Sequence, residues 1–512
     1  MGDDRLALAA RRRRAETANR QPSPAGAGPR VAAFRAAGGR AIRHLTAAAA
    51  AHPAFAVLLL IAIVIRALAM VAYPPALFFN DSWGYVFTAF TGHPVSLSYL
   101  RPNGYPVLMR LLTIPGRDLV QLVALQHLSG LVTGTLVYAT LIRARVDRGL
   151  ALVAGAVVLL DGYRIVLEQY LMPEAFYTLT LLLAALVVAW PRLGKPSIRP
   201  SLAGPRAAAL AGLLLAAAVI QREAALFAAP AFVIYLAWTR VGLVTAVAFV
   251  LALAMPVLGY AALYEARLGV FGLTETSGWT LYGRVAGFAS CAGAGIPRSQ
   301  RPLCETAAQR ASHPASPTYY IWDGNSPAER LFHGGHQTRE IQERANRILD
   351  DFAHRIILHQ PLQYLDASIS DAVRYFTPGA TPFNDAVSAT SLPASGAAEP
   401  KSERIRRRVL PTMHPQVRPP AGVVRRYRSI LHLPRPLLAI LALASLAAIL
   451  LRSAVNKEVL LLTGSGLLMI LGTAATAGFG IRYLLPTVPL LAIGGSLAIH
   501  DLAVRARDAL RR

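Results

Sequence analysis

Acidic residues are scarce in this chain, 27 Asp and Glu against 52 Lys and Arg, and charges of either sign fill only 15% of its 512 positions. A protein folded with its whole surface in water carries more charge than this. Cysteine is rarer still: there are two, Cys291 and Cys304. No Cys-x-x-Cys pair and no clustered His/Cys spacing points to zinc, and His333 and His336, flanking Gly334-Gly335, read as a polar loop. What is abundant is apolar surface, 54% of residues at a mean hydropathy of +0.43, in recurring runs separated by basic residues. That is the pattern of an all-α polytopic membrane protein.

The formal net charge of +25 invites a nucleic-acid reading, but its distribution excludes one. Arginines gather at Arg11 to Arg14, Arg30, Arg35, Arg40 and Arg43, in short loops, and at Arg505, Arg507, Arg511 and Arg512. This is a positive-inside bias with attraction to anionic headgroups. Residues 1–48 read as a disordered basic cytoplasmic tail. The first apolar segment begins after residue 50, too late for a cleavable signal peptide, so it is expected to stay as a signal anchor.

Hydropathy gives about ten spans: 53–73, 119–142, 149–161, 173–190, 207–220, 224–238, 241–263, 434–451, 459–479 and 483–502. The turns at Arg143, Lys195 and Lys457 are expected in the cytoplasm with both termini. The resulting plan is an N-terminal transmembrane domain at 49–263, one large extracytoplasmic loop domain at 264–433, C-terminal helices at 434–502 and a cytoplasmic tail at 503–512, in the plasma membrane. The stretch 378–420 is rich in Pro, Ala and Ser and reads as loop. Cys291 and Cys304 both fall in the outside domain, where a disulfide between them is expected.

Polar side chains near the ends of apolar runs are costly and point to function. Asp81, in Phe78-Phe79-Asn80-Asp81-Ser82-Trp83-Gly84-Tyr85, follows the first span and is the candidate base. Arg101, Arg222 and Arg482 fall on the same side and are candidates to bind a phosphate, since guanidinium groups pair bidentately with its oxygens. Glu168, Glu174, Tyr85 and Tyr105 are expected to line the pocket for donor and acceptor.

The order of these segments resembles the multi-span glycosyltransferases of the GT-C fold, relatives of protein O-mannosyltransferases and of the aminoarabinose transferase. The matching segments are Asn80-Asp81-Ser82-Trp83-Gly84-Tyr85, Arg101-Pro102-Asn103-Gly104-Tyr105-Pro106, Leu171-Met172-Pro173-Glu174-Ala175, Ile220-Gln221-Arg222 and Arg482-Tyr483-Leu484-Leu485-Pro486. The resemblance implies an inverting transfer of a sugar from a polyprenyl-phosphate donor to a glycan, lipid or protein acceptor on the extracytoplasmic face. Ser82 follows Asp81 where many relatives carry a second acid, which argues against a tightly held divalent metal. The readings that compete with a transferase are a transporter or flippase of a lipid-linked sugar and a non-catalytic assembly protein. A transporter is expected to show internal repeats and broken helices at mid-depth, and the polar set here sits at one interface instead.

Overall fold

Helices account for nearly all regular structure in the computed structural model, which describes residues 47, 49–91, 96–113, 118–194, 204–314, 316–332, 338–378, 392–393, 407–411 and 413–512. The expected tail up to residue 46, Lys195, the pair His333 and His336 and much of 378–420 lie outside the described residues. No β-strand occurs among the described residues; a single isolated bridge joins Leu77 to Tyr170. By internal contacts the chain divides into 1–57 and 58–512, and the site described below belongs wholly to the second unit.

Each of the ten apolar runs is helical, but they are not ten equivalent spans. Among the described residues, five helices are long and apolar enough to cross a membrane: α1 (Pro53–Ala72), α4 (Leu119–Arg143), α10 (Leu243–Leu268), α19 (Asn456–Thr476) and α21 (Val488–Leu510). Two further spans arise if bent pairs are joined, α5 (Arg148–Leu159) with α6 (Gly162–Gln169) at 41° and α17 (Ala421–Ile430) with α18 (Arg435–Leu450) at 45°. The remaining three, α7 (Glu174–Ala189), α8 (Pro205–Gln221) and the segment Glu223–Trp238, in which α9 (Ala229–Trp238) follows a 3₁₀ turn, are shorter. At about 1.5 Å per residue, 16 or 17 residues fall short of a hydrocarbon core about 30 Å thick. Among the described residues the count of ten is therefore corrected, by length and composition, to five, or seven with the bent pairs. Hydropathy registers where apolar residues lie and is blind to where the helix bends or stops.

Local signals explain several boundaries. Asp118 caps α4 by accepting from the N–H groups of Val120 and Gln121, and Asp147 caps α5 through Gly149 and Leu150. Such caps satisfy N–H groups that the first helical turn leaves without a partner. At the other end of α10, Gly269 takes φ +70°, a left-handed stop that glycine adopts without strain.

Residues 277–357 carry their own core. Trp279 and Tyr282 of α11 (Ser277–Ala286) meet Leu349, Phe352 and Ile356 of α15 (Arg339–His359) in one buried cluster. On α15 the buried positions 342, 345, 349, 352, 353 and 356 recur every three or four residues, the stripe of an amphipathic helix. Cys291 and Cys304 pack against this core and are bonded to each other, with Cα atoms 6.1 Å apart. The expected disulfide is present and closes the loop 291–304.

Candidate functional site

Asp81 is the second residue of α2 (Asn80–Thr91). The Ser82 hydroxyl accepts from the Phe79 N–H at 2.9 Å and fixes the turn into the helix. The segment before it is pinned by two backbone bonds: the Leu77 N–H donates to Gln169 at 3.0 Å, and the Leu171 N–H to Leu77 at 3.1 Å. Below lies a cluster of buried side chains that includes Tyr73, Tyr85, Tyr105, Leu171 and Leu485. The carboxylate thus stands in the first turn of a helix, where the macrodipole favours negative charge, on a packed floor.

Two arginines grip it from opposite ends of the sequence. Arg101 Nη2 donates to Oδ1 at 2.8 Å, and Arg482 Nη1 to Oδ2 at 2.8 Å. Burial alone would push the Asp81 carboxyl up, but Arg101, Arg482 and Arg222 more than offset it and hold the group well below the usual carboxylate range. Such a clamp requires Arg101 and Arg482 to be held in turn. Around Arg101, the Ser98 hydroxyl accepts from the N–H groups of Leu100 and Arg101, and Asn103 bonds both Ser96 and Ser98. Arg482 follows Gly480, whose N–H donates to the Tyr375 hydroxyl at 2.9 Å. Its guanidinium lies 5.6 Å from the Phe79 ring and 5.2 Å from the Tyr483 ring, within the range of cation–π attraction.

Arg222 completes the group. It caps the C-terminal end of α8 and lies 5.5 Å from the centroid of the Tyr483 ring and 3.4 Å from Glu174 Oε1. Gly104 brings this helix end close to the Arg101 loop: a Cβ there would lie 2.6 Å from the Ile220 carbonyl oxygen, a contact no side chain permits. Both carboxylate oxygens of Glu174, the Tyr85 hydroxyl and Gln221 Oε1 are buried and make no hydrogen bond among the described residues. Burial pushes the Tyr85 phenol up to about 12. Tyr105 packs edge-on against Tyr85 with centroids 5.1 Å apart, and its hydroxyl donates to Gln126 at 2.5 Å.

Asp81, Arg101, Arg222 and Arg482 all line one cavity of about 1780 Å³. That exceeds the roughly 300–1,000 Å³ typical of a single drug-sized ligand. Besides the arginines its wall includes the apolar Leu226, Phe227 and Phe271 and the aromatic Tyr319 and Trp322. Arg101 is bonded to Asp81 and lies 5.8 Å from the Trp322 ring. Among the described residues no group of three or more His, Cys, Asp or Glu side chains is placed to hold a metal ion.

Of the side chains expected in the pocket, Tyr85, Tyr105 and Glu174 are not part of the cavity wall; Tyr85 and Glu174 adjoin the arginines and Tyr105 supports Tyr85. Glu168 is elsewhere. It accepts from Arg66 at 2.8 and 3.1 Å and faces His127 Nδ1 at 3.1 Å, in a fully buried cluster that Arg164 approaches to 3.5 Å. Gly130 makes room for it, since a Cβ there would lie 1.8 Å from Glu168 Oε1. The pocket assignment of Glu168 is corrected: its charge is consumed by Arg66, and its neighbour Gln169 binds the Tyr73 carbonyl at 2.9 Å. Arg66 is the lone arginine in an otherwise apolar 20-residue helix, a pattern that itself signals a buried partner.

No family model matches the chain, and none of the curated proteins matches it. Among solved structures it is similar to the archaeal oligosaccharyltransferase AglB from Archaeoglobus fulgidus in complex with an inhibitory peptide and a dolichol-phosphate. That alignment has 14% identity and a TM-score of 0.37, over 90% of this chain and 52% of the other. The apo form of the Archaeoglobus fulgidus oligosaccharyltransferase aligns at 13% identity and a TM-score of 0.35, over 89% and 51%. The chain spans about half the length of these structures, and similarity of this degree decides neither family nor activity.

Proposed function

We propose that this protein is a membrane glycosyltransferase that moves a sugar from a polyprenyl-phosphate donor to an acceptor hydroxyl. The observation that carries the reading is the convergence of Arg101, Arg222 and Arg482 on Asp81 in one large, partly apolar cavity. Three guanidiniums against the carboxylates of Asp81 and Glu174 leave an excess positive charge, which one phosphodiester neutralises. The apolar wall at Leu226, Phe227 and Phe271 suits the first isoprene units of a lipid carrier, and the region of Trp322 leaves space for an acceptor.

In this reading the acceptor oxygen attacks the anomeric carbon from the side opposite the phosphate. The new carbon–oxygen bond forms as the bond to the phosphate oxygen breaks, and the electron pair leaves on polyprenyl phosphate. The arginines stabilise that leaving anion, and Asp81 takes the acceptor proton. A single displacement inverts the anomeric configuration. With α1, α4 and α10 as the spans that precede it, the region 264–433 is assigned, with the site, to the extracytoplasmic side. Reporter fusions at residues 195 and 330 are expected to report opposite sides.

The decisive experiment is transfer of radiolabel from a panel of polyprenyl-phosphate sugars to endogenous acceptors in membranes carrying the protein. Label is expected in acceptor with the wild type and not with Asp81→Asn. Absence of transfer from every donor, with well-folded protein present, would overturn the reading.

A further inference from the structure

Asp81 holds the two cations, Arg101 and Arg482, that the reading above assigns to the donor phosphate. Arg101 commits Nη1 to the Leu100 carbonyl at 2.8 Å and Nη2 to Asp81. Arg482 commits Nη1 to Asp81 and points Nη2 at the Tyr483 hydroxyl at 3.3 Å. Each carboxylate oxygen therefore already accepts a short, charge-assisted bond, and such bonds are the strong ones. A carboxylate so held is a poor proton acceptor, and arginines so occupied are poor phosphate ligands. Arg222, at 3.4 Å from Glu174, is held less closely by its carboxylate.

We propose that in the unliganded protein Asp81 occupies the anion position of the phosphate site, and that donor phosphate displaces it and so releases the base. The inference rests on the phosphate reading above. The incoming phosphate meets Arg222, then draws Arg101 and Arg482 from the carboxylate; Asp81, on the first turn of α2, turns its freed oxygens toward the acceptor side of the cavity. The base is thereby silent until the donor is in place. Without a donor, the acceptor hydroxyl meets an inert carboxylate, so productive binding is ordered, donor first. Once exchange has occurred, the acceptor proton passes to Asp81 as the bond from the anomeric carbon to phosphate breaks.

The consequence that separates exchange from a simple supporting role is that removing the base should tighten phosphate binding. An Asn at position 81 keeps the side-chain size but no longer competes as an anion. Binding of farnesyl phosphate, with inorganic phosphate as a second arm, would be measured by calorimetry on detergent-solubilised full-length wild type, Asp81→Asn, Asp81→Ser and Arg482→Gln. The expected result is at least about tenfold tighter farnesyl phosphate binding for both Asp81 variants, together with a larger upward shift of the unfolding midpoint than in wild type. Arg482→Gln should bind at least about tenfold more weakly than wild type. Tightening with farnesyl phosphate but not inorganic phosphate identifies a lipid phosphate as the ligand; tightening with both identifies the phosphate group alone as sufficient, and either supports exchange. Unchanged or weaker binding by the Asp81 variants, with Arg482→Gln still weakened, overturns exchange and leaves the phosphate site standing. If no protein binds either probe, the phosphate reading falls and exchange falls with it.

Discussion

Asp81 and Arg482 are 401 residues apart in the chain, yet their side chains meet at 2.8 Å. The contact closes the molecule on itself: the carboxylate that begins α2 is completed by a cation just ahead of the final long helix. If Asp81 takes the acceptor proton, Asp81→Asn should lower turnover by about 10²- to 10⁴-fold, the range general-base catalysis supplies. A purely structural carboxylate would give a different result, namely a lower yield of folded protein with unchanged turnover per folded molecule. Turnover normalised to folded protein separates the two.

Arg222 should behave differently from Asp81. It faces the cavity and Glu174 without a short bond to the base, so Arg222→Ala is expected to raise the donor KM by about tenfold or more, the loss of one charge-assisted contact. Arg222→Lys should recover only part of this, because a point charge cannot present the planar fork. Steady-state kinetics with varied donor would show it; an unchanged donor KM with a reduced kcat would remove Arg222 from the phosphate site.

Asp81, Arg101, Arg222 and Arg482 were all legible in the sequence for one physical reason. Ionisable groups at the edges of apolar runs are expensive unless they gather, so their shared side of the membrane pattern predicted a common location. Glu168 satisfied the same rule and misled, because its partner Arg66 lies on a helix 102 residues earlier and nothing local indicates which acid an embedded arginine selects. Tyr483 and Phe79 as aromatic supports were hidden for a similar cause: a ring at an interface and a ring under a guanidinium are the same residue in the sequence. The disulfide was accessible because only one pairing of two cysteines exists.

Breaking the buried cluster should be costly. Glu168→Gln leaves Arg66 buried without a carboxylate, and removal of one member of a buried pair costs about 3–5 kcal/mol. The double variant Arg66→Met with Glu168→Leu should recover only part of that loss, since Arg66 is then no longer stranded but buried Arg164 still loses the carboxylate 3.5 Å away. Unfolding in detergent, followed for the single and double variants, checks this. Equal destabilisation by both would show that the cluster contributes through packing rather than charge.

Cys291→Ser should destabilise residues 277–357 by about 3 kcal/mol, the chain-entropy contribution of a loop this short. The double variant with Cys304→Ser should cost no more than the single one, because the bond is already lost. Protease cleavage within this region, timed under native conditions, is the measurement; unchanged lifetimes would mean that the helical core around Trp279 and Phe352 holds the region without the bond.

The pH dependence follows from the clamp. In the unliganded protein Asp81 faces Arg101 and Arg482 directly, with Arg222, Tyr85 and Glu174 around them, and its carboxyl is held well below the ordinary range. A folded-state value below the unfolded one, about 3.9, means that this group's contribution to stability is present above that pH. It is lost only as pH falls through the lower folded value. The acid limb of kcat/KM reports the free enzyme and that of kcat the bound complex. If donor phosphate draws the arginines away, the carboxyl should rise toward its usual range in the complex, and its acid limb should move up in pH with it. The limb in kcat is therefore expected at higher pH than the limb in kcat/KM, by a unit or more at about 1.4 kcal/mol per unit. Arg482→Gln, which removes half of the clamp, should shrink the gap by raising the limb in kcat/KM. Profiles carried from neutral pH down to about pH 3, below the ordinary carboxylate value, with saturating and limiting donor decide the matter, since coincident limbs in the wild type would mean that Asp81 keeps its arginines throughout the reaction.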